Sequence, residues 1–292
     1  MPTPDRGHPG PSAAPRGKHL CHAYGDEREH AEAVSGFVHE GLARGQRVLY
    51  VTGTGDPPEV LDLLRVRDGD VAAAVDRGQL VVASAAAGTA PGPFDPGAVV
   101  AGVRAACERG LADGCPGLRL VGDLGWAERQ PPDAERLLEY ELRLEAEVYA
   151  ELPLTGVCLY DRRAAPVDLL AAAHPRRLSE GGPAGRAVGE PPLAVAPLSG
   201  NTGLRLLGDA DLDTRPVLTA ALEALARIGG TVVRLDLSAV GHLDVAAVGA
   251  LVRTTRALRE QGRRLVLVEP PETLRRTAGF FPEECSVLEP AP

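Results

Sequence analysis

The stretch Val232–Val252, VVRLDLSAVGHLDVAAVGALV, decides the fold of the C-terminal part of the chain. It opens with Val232–Leu237, an almost continuous apolar run that is typical of a strand buried on both faces. Ser238–Leu243 is predicted to form a short loop. Asp244 then stands where a helix N-cap is expected, because its carboxylate can accept hydrogen bonds from the free N–H groups of the next turn. The apolar residues behind it recur at helical spacing and predict a helix: Val248, Leu251, Val252 and Leu258.

This pattern, D-L-S-x-V-x-x-L-D followed by small residues, resembles the core signature of STAS domains, the family of bacterial anti-sigma factor antagonists. The segment Gly208–Thr214, GDADLDT, resembles the G-E-L-D-x-x-T turn of the same family. The resemblance implies a small α/β domain over residues 203–290 that binds an anti-sigma factor or a related kinase-like protein. The residues that it implies for partner contact are Gly241, His242, Asp244 and Val245.

One position departs from the family pattern. In STAS antagonists the residue directly after the loop aspartate is usually a serine or threonine that a partner kinase phosphorylates. Here that residue is Val245, which has no hydroxyl group. We therefore expect that phosphorylation at the usual position does not regulate this protein.

Length and composition bound the function. The 292 residues predict two domains, and the hydrophobic share of 44% is sufficient for real cores. The net charge of −9 argues against a nucleic-acid partner, which would require a basic face. Without a long apolar run or a signal peptide, we expect no membrane partner and a cytoplasmic location. The five cysteines form no CxxC pair, which indicates free thiols in a reducing compartment.

Residues 18–177 alternate between strand-like and helix-like segments. The predicted strands are His19–Tyr24, Arg47–Thr52, Gln79–Ala83, Leu118–Leu124 and Thr155–Tyr160. The predicted helices are Glu29–Ala43, Pro58–Val66, Gly97–Leu111 and Ala134–Ala150. Such alternation predicts an α/β fold in which helices flank both faces of a parallel sheet.

Ligands of open parallel sheets bind beyond the carboxyl ends of the strands. Although aromatic residues make up only 3% of the chain, several of them lie at this edge, together with acidic residues. They are Tyr24, Asp123, Trp126, Tyr160 and Asp161. We expect a small-molecule site here, and packing over the top of the sheet is the alternative.

Two charged residues fall on apolar elements. Arg119 lies in the fourth predicted strand, and Glu141 falls within the apolar arc of the following helix at about 100° per residue. A buried charge requires a partner. The sequence therefore predicts an Arg119–Glu141 ion pair, either structural or in contact with a ligand.

A second resemblance covers residues 18–177. It rests on HLCHAY (19–24), GQRVLYV (45–51), GLRLVGDLGW (117–126), EYE (139–141), CLYD (158–161) and HP (174–175). These motifs resemble the MEDS domain, the methanogen/methylotroph DcmR sensory domain, although members often carry a glutamate where Asp123 stands. The resemblance implies small-molecule sensing on a RecA-like parallel sheet. The candidate ligand residues are His19, Cys21, Tyr24, Arg119, Asp123, Trp126, Glu141, Tyr160, Asp161 and His174.

The kinship with RecA-like ATPases raises the possibility of catalysis. A P-loop requires G-x-x-x-x-G-K-[ST], whereas the first strand is followed by the acidic segment Gly25–His30 without the lysine. His19 and Cys21 share a strand face that His22 does not, and no close ligand pairing indicates a metal site. No G-x-S-x-G elbow is present. We therefore expect no catalytic residues, metal or cofactor.

The predicted organisation is a disordered tail over residues 1–17, a MEDS-like domain over 18–177, a Gly/Pro-rich linker over 178–202 and a STAS domain over 203–290. The expected function is non-enzymatic signalling, in which small-molecule sensing is coupled to a protein-interaction module in anti-sigma factor regulation of transcription. The alternative is a catalytic RecA-like protein that acts on a nucleotide or small molecule.

Overall fold

The computed structural model describes residues 17–52, 57–65, 71–84, 94–124, 134–163, 166–174, 178–180, 186–187, 190–198 and 202–291. Residues 1–16 of the predicted tail lie outside the described residues, and so does the candidate ligand residue Trp126. No helix in the described ranges combines the length and the apolar character needed to cross a membrane.

A seven-stranded sheet forms the centre of the N-terminal domain. Its strands are β1 (Lys18–Tyr24), β2 (Arg47–Thr52), β3 (Leu80–Ser84), β4 (Leu118–Asp123), β5 (Leu154–Asp161), β6 (Leu178–Glu180) and β7 (Arg186–Ala187). Their order across the sheet is β3-β2-β4-β5-β1-β6-β7. Strands β1 to β6 run parallel, and β7 is antiparallel to β6. The predicted parallel sheet is confirmed.

Helices cover both faces of this sheet, as the β/α alternation predicted. They are α1 (Glu27–Ala43), α2 (Pro57–Arg65), α3 (Val71–Asp76), α4 (Pro96–Ala112), α5 (Ala134–Leu144) and α6 (Val167–Ala173). A π-helical segment, Glu145–Tyr149, continues α5 directly. Helices α1 to α3 cover the face that carries Val48 and Val121, which we call the α1 face. Helices α4 to α6 and the π segment cover the opposite face, which carries Leu120 and Cys158 and which we call the α5 face.

The C-terminal domain is a five-stranded sheet with helices. Its elements are β8 (Leu193–Pro197), β9 (Gly203–Ala210), α7 (Arg215–Arg227), β10 (Val232–Leu243), α8 (Val245–Glu260), β11 (Arg264–Val268), α9 (Glu272–Phe280), α10 (Pro282–Cys285) and β12 (Glu289–Pro290). The strand order is β12-β11-β10-β9-β8. Only β8 is antiparallel to its neighbour.

The stretch that decides this fold differs from its prediction at one point. Ser238–Leu243 is not a loop, because β10 continues through it to Leu243. The pairing of β10 with β9 shifts register after Asp236 and again after Val240, so bulges keep the segment in the sheet. Asp244 caps α8 as predicted, and its carboxylate accepts from the Ala247 amide at 2.6 Å.

The predicted linker, residues 178–202, also contains regular structure. The strands β6 and β7 add to the N-terminal sheet, and β8 is the edge strand of the C-terminal sheet. Leu193 and Val195 are fully buried there. The predicted linker is therefore partly regular: Pro192 and Pro197 lie before and at the end of an edge strand, where proline is tolerated.

The two domains share a hydrophobic core. Leu138 and Leu142 of α5, with Leu169 and Ala172 of α6, belong to the same buried cluster as the core residues of the C-terminal domain. Helix α5 packs against α7, and α6 packs against β8 and α7. The neighbouring residue Leu137 instead belongs to the core of the α5 face. Helix α5 is therefore apolar on two sides, one toward its own sheet and one toward the C-terminal domain.

Candidate functional site

The structure divides the candidate ligand residues between the two faces of the N-terminal sheet. Strand alternation places one set of strand residues on the α1 face: Tyr24, Arg119, Asp123 and Asp161. It places His19, Cys21 and Tyr160 on the α5 face, where α5 and the end of α6 add Glu141 and His174. Tyr160 therefore does not share a site with Tyr24 and Asp123. The prediction that one site unites all the residues at the strand ends was wrong, because successive residues of a strand point to opposite faces.

Asp123 is the centre of a small group at the carboxyl edge of the α1 face. Its Oδ2 atom lies 3.0 Å from His30 Nε2 and accepts a hydrogen bond from the Tyr50 hydroxyl at 3.1 Å. The rings of Tyr24 and His30 are 4.7 Å apart. Burial, and then the charge of Asp123, raises the pKa of Tyr50, so this hydroxyl remains a donor. We call Tyr24, His30, Tyr50 and Asp123 the edge cluster.

The edge cluster is partly accessible to solvent through His30 and Asp123, whereas Tyr24 and Tyr50 are buried. The side chains of His30 and Asp123 are 19% and 12% exposed. His30 and Tyr50 were absent from the sequence-based candidates, because α1 brings in the first and the neighbouring strand β2 brings in the second. The nearby candidate Asp161 is bound by the backbone N–H and the guanidinium of Arg163.

The start of α1 occupies the position that a P-loop would take after the first strand. Asp26 caps the helix by accepting from the Glu29 amide at 2.8 Å. The Glu29 carboxylate in turn accepts from the Gly25 amide at 2.7 Å and lies 3.6 Å from Arg162. Backbone N–H groups that would hold a phosphate are therefore satisfied by carboxylates.

Arg119 does not pair with Glu141. Its guanidinium donates to Glu40 Oε2 at 2.9 Å, to Gln46 Oε1 at 2.8 Å and to the Phe37 carbonyl at 2.9 Å. It also lies over the Phe37 ring, 4.6 Å from its centroid. The predicted pair was wrong because Arg119 points to the α1 face, whereas α5 covers the other face.

Glu141 is the centre of a fully enclosed group on the α5 face. Its Oε2 atom lies 2.5 Å from His174 Nε2 and 3.2 Å from His19 Nε2, and its Oε1 accepts from the Tyr160 hydroxyl. Cys158 Sγ lies 3.3 Å from the same His19 nitrogen. All five side chains are buried. We call His19, Glu141, Cys158, Tyr160 and His174 the buried cluster.

The π segment supplies a further layer of contacts to His19. Glu145 Oε2 lies 3.2 Å from His19 Nδ1, and the Tyr149 ring stacks on the imidazole with centroids 4.2 Å apart. Gly156 on β5 leaves room for this ring, since a Cβ atom there would stand 1.8 Å from the Tyr149 hydroxyl. π-helical turns are frequent at functional sites because they re-aim side chains within a helix.

Burial and the neighbouring polar groups together shift the pKa values in the buried cluster. Burial alone raises the pKa of Glu141, but His174, then His19 and Tyr160, lower it to about 2, so this carboxylate is ionised. Burial, followed by repulsion from His174, lowers the pKa of His19 and favours a neutral imidazole. Burial, and then the charge of Glu141, raises the pKa of Cys158 well above its usual value. The cluster therefore combines a carboxylate, a neutral imidazole and a thiol.

Cys158, His19 and Glu145 stand in the order of a thiol nucleophile, a base and a carboxylate that orients the base. Cys158 is only 1% exposed, and its raised pKa disfavours the thiolate that attacks a substrate. This arrangement therefore does not provide an accessible nucleophile. The neighbouring candidate Cys21 is equally buried, and burial, then the Glu141 charge, raises its pKa as well.

The predicted partner residues lie together at one end of the C-terminal domain. Gly241 and His242 are exposed, Asp244 is half-buried, and Val245 is 62% exposed at the first turn of α8. The turn before α7 lies beside them, because Arg215 is 3.8 Å from Asp244. That turn carries Leu212, which is 67% exposed. We call Leu212, Gly241, His242, Asp244 and Val245 the C-terminal tip.

Comparison with known proteins agrees with this two-domain architecture. The profile of the family described as "MEDS: MEthanogen/methylotroph, DcmR Sensory domain" matches residues 18–175, more than half of the chain. The chain therefore belongs to the MEDS family. A second profile, described as "Mlab, STAS domain", matches residues 194–281. A MEDS domain is thus followed by a STAS domain, and the edge and buried clusters lie in the first.

Two solved structures resemble part of the chain. One is the anti-sigma factor antagonist SpoIIAA in its unphosphorylated form, with 19% identity, coverage of 34% of this chain and 88% of that chain, and a TM-score of 0.28. The other is the Bacillus cell fate determinant SpoIIAA in the phosphorylated form, with 18% identity, coverage of 34% and 91%, and a TM-score of 0.28. The family assignments rest on the two profile matches.

Proposed function

We propose that this protein is a non-enzymatic signalling protein in which the MEDS domain senses a small molecule and the STAS domain binds an anti-sigma factor or a related kinase-like protein. In this way it regulates transcription in the cytoplasm, where its free cysteines remain reduced. The observation that carries the proposal is the hydrophobic core that the two domains share through α5 and α6.

Helix α5 is the physical connection between the MEDS sheet, whose carboxyl edge carries the edge cluster, and the STAS domain. Glu141 points from α5 into the buried cluster, whereas Leu138 and Leu142 of the same helix pack toward the STAS domain. A ligand can shift this connection only by binding two arrangements of the protein with different affinity. Packed cores are suited to such a shift because they switch between discrete packings rather than deforming continuously.

Two observations favour binding over catalysis. At the position of a P-loop, Glu29 accepts the Gly25 amide, so a phosphate would meet a carboxylate rather than a free N–H group. The thiol of Cys158 is enclosed and lacks the exposure of a nucleophile. The alternative of a catalytic RecA-like protein therefore has less support than a sensor.

We place the sensed molecule at the edge cluster, which lies where parallel sheets bind ligands and offers a carboxylate, an imidazole and aromatic rings. A small-metabolite library screened by thermal shift should yield a compound that raises the melting temperature, since a ligand at 100 times its Kd stabilises by about 2.7 kcal/mol. Asp123→Asn should reduce the shift, and the exposed control Asp76→Asn should preserve it. Emission from the single tryptophan, Trp126, supplies a second readout.

The same samples distinguish a sensor from an enzyme. Mass spectrometry of the compound after long incubation should recover it unchanged. Stoichiometric conversion to a product would favour the catalytic alternative. A shift of equal size in wild type and Asp123→Asn would place the ligand elsewhere.

The partner site is tested at the C-terminal tip. Binding of the full chain to each anti-sigma factor of its source organism is measured by titration calorimetry. Val245→Arg places a charge on the exposed first turn of α8 and should weaken binding at least about tenfold, the equivalent of 1.4 kcal/mol. The control is Val75→Arg, the same substitution at an exposed valine of the MEDS domain. Equal effects of the two substitutions would contradict the assignment.

A further inference from the structure

Three ligand atoms of metal-binding type converge in the buried cluster. His19 Nε2, Cys158 Sγ and a Glu141 carboxylate oxygen all lie within 4.8 Å of one another. His174 Nε2 lies 2.5 Å from Glu141 Oε2, next to the same point. The four residues come from β1, α5, β5 and the end of α6. They are therefore distant in sequence, although the fold brings them together.

We propose that His19, Glu141, Cys158 and His174 bind one divalent metal ion of the zinc class. Imidazole, thiolate and carboxylate are the ligands that zinc takes in tetrahedral sites, and mixed soft and hard donors do not suit magnesium or calcium. The proposal concerns binding alone, and it stands independently of the proposed signalling function.

The contacts around the ligands are those of a metal site. Metal-binding histidines usually donate the other ring N–H to a carboxylate, which fixes the ring and its tautomer. Glu145 occupies that position at His19 Nδ1, 3.2 Å away, which leaves Nε2 for the ion. The Tyr160 hydroxyl holds Glu141 Oε1, which leaves Oε2 for the ion.

Two polar atoms around the cluster indicate further unfilled hydrogen-bonding capacity. Within the described part of the chain, His174 Nδ1 and the Tyr149 hydroxyl are buried without a hydrogen-bond partner. Neither atom is a proposed ligand atom, because His174 faces the site with Nε2, so an ordered water beside the site would satisfy them. The Tyr149 ring stacks on the proposed ligand His19, so the Tyr149 hydroxyl belongs to a ring that contacts the site directly.

The charges and protons balance for a divalent ion. Glu141 binds the ion as a carboxylate, and Cys158 must lose its proton for a metal–sulfur bond to form. The S–H bond breaks, its proton leaves to solvent, and the sulfur lone pair binds the ion. Two anionic ligands then neutralise the 2+ charge, which removes the cost of burying an unbalanced charge.

Cobalt substitution tests the proposal on the full-length chain. The protein is purified under reducing conditions, freed of metal with a chelator and titrated with Co²⁺. Wild type should bind a single equivalent and develop a thiolate-to-cobalt charge-transfer band together with the intense visible bands of tetrahedral cobalt. Zinc should displace the cobalt and abolish the spectrum. Absence of a saturable band, or weak binding of an adventitious ion without a thiolate band, would overturn the proposal.

Cysteine variants assign the ligand. Cys158→Ser should abolish the charge-transfer band. The control is Cys107→Ser, because Cys107 is equally buried, at 1% exposure, and lies in the same core on α4. Survival of the band in Cys158→Ser, or its loss in Cys21→Ser instead, would overturn the assignment of the ligands.

Glu145→Gln provides a milder change that keeps the size of the side chain. Loss of a carboxylate that orients a ligand typically weakens metal affinity about 10- to 100-fold. We expect that decrease for cobalt, with stoichiometry and band shape preserved. An unchanged affinity would mean that Glu145 does not orient a metal ligand, which contradicts the proposed site.

Discussion

Leu138→Ala and Leu137→Ala are adjacent substitutions on one helix with different expected consequences. Both side chains are buried, at 1% and 2% exposure. Leu138 belongs to the core that the MEDS and STAS domains share, and Leu137 belongs to the core of the MEDS sheet. The pair therefore separates loss of packing between the domains from loss of packing within one domain.

Each truncation should cost about 2–5 kcal/mol, the range for removing a buried leucine side chain and leaving a cavity. For Leu138→Ala, that cost falls on the contact of α5 with α7. A weakening of about 2 kcal/mol corresponds to a roughly 30-fold larger population of the open contact. For Leu137→Ala, the same loss falls within the MEDS domain and leaves α7 in place.

Hydrogen exchange followed by mass spectrometry reads out the difference. Peptides from Arg215–Arg227 and Leu193–Pro197 should exchange roughly 30-fold faster in Leu138→Ala through opening of the contact. In Leu137→Ala the faster exchange should be confined to peptides of the MEDS domain. If the two variants give the same map, or if Leu138→Ala leaves both STAS peptides unchanged, α5 does not couple the domains in the way we infer.

Val245, Arg119 and Asp236 each provide a separate test. Wild type incubated with partner kinases and ATP should gain no phosphate on the first turns of α8, whereas Val245→Ser should create an acceptor there. Peptide mass mapping locates any phosphate, and stoichiometric phosphate on wild type would contradict the prediction. Arg119→Ala should cost about 3 kcal/mol in urea unfolding, because it removes a buried side chain and leaves Gln46 and the Phe37 carbonyl without their donor. Glu40→Ala should cost less, because Glu40 is 49% exposed and Arg119 keeps its two other acceptors; equal costs would refute this ranking. Burial alone raises the pKa of Asp236, but hydrogen bonds from Ser238 and Arg205 outweigh it and lower that pKa. The ionised Asp236 therefore stabilises the fold fully above about pH 4, and this stabilisation is lost as the pH falls through the folded-state pKa. Asp236→Asn should flatten this acid dependence of the free energy of unfolding, and an unchanged dependence would exclude a contribution from Asp236.

Local patterns were sufficient to predict most elements. The alternation of apolar strands and amphipathic helices predicted the parallel sheet, with element ends within a few residues of those in the structure. The N-cap at Asp244 was also predictable, because capping depends on one side chain and the next turn. Bulges were not predictable in this way. The segment after Asp236 contains Ser238 and Gly241, which favour turns, yet pairing with β9 holds it in the sheet.

The composition of the sites could not be predicted from local patterns, because it depends on which helix covers which face. Helical periodicity correctly placed Glu141 among apolar residues of α5. It contained no information on which face of the sheet α5 covers. Spacing along the chain also gave no sign that His19 and Cys158 lie together, because these residues meet across the strand pair of β1 and β5.

The shared core restricts how the two domains can move relative to each other. A Gly/Pro-rich linker between domains would favour reorientation of two independent bodies. Instead, the chain returns through β8 into a core that already includes Leu138 and Leu142 of the MEDS domain. Reorientation of the domains would have to expose those leucines to water, at about 1.5–3 kcal/mol for each side chain. We therefore expect a signal to pass from α5 to α7 by repacking of the two helices, and from α7 through the STAS core to α8. Helix α8 begins at the exposed Val245, the position at which STAS antagonists usually carry the phosphate acceptor.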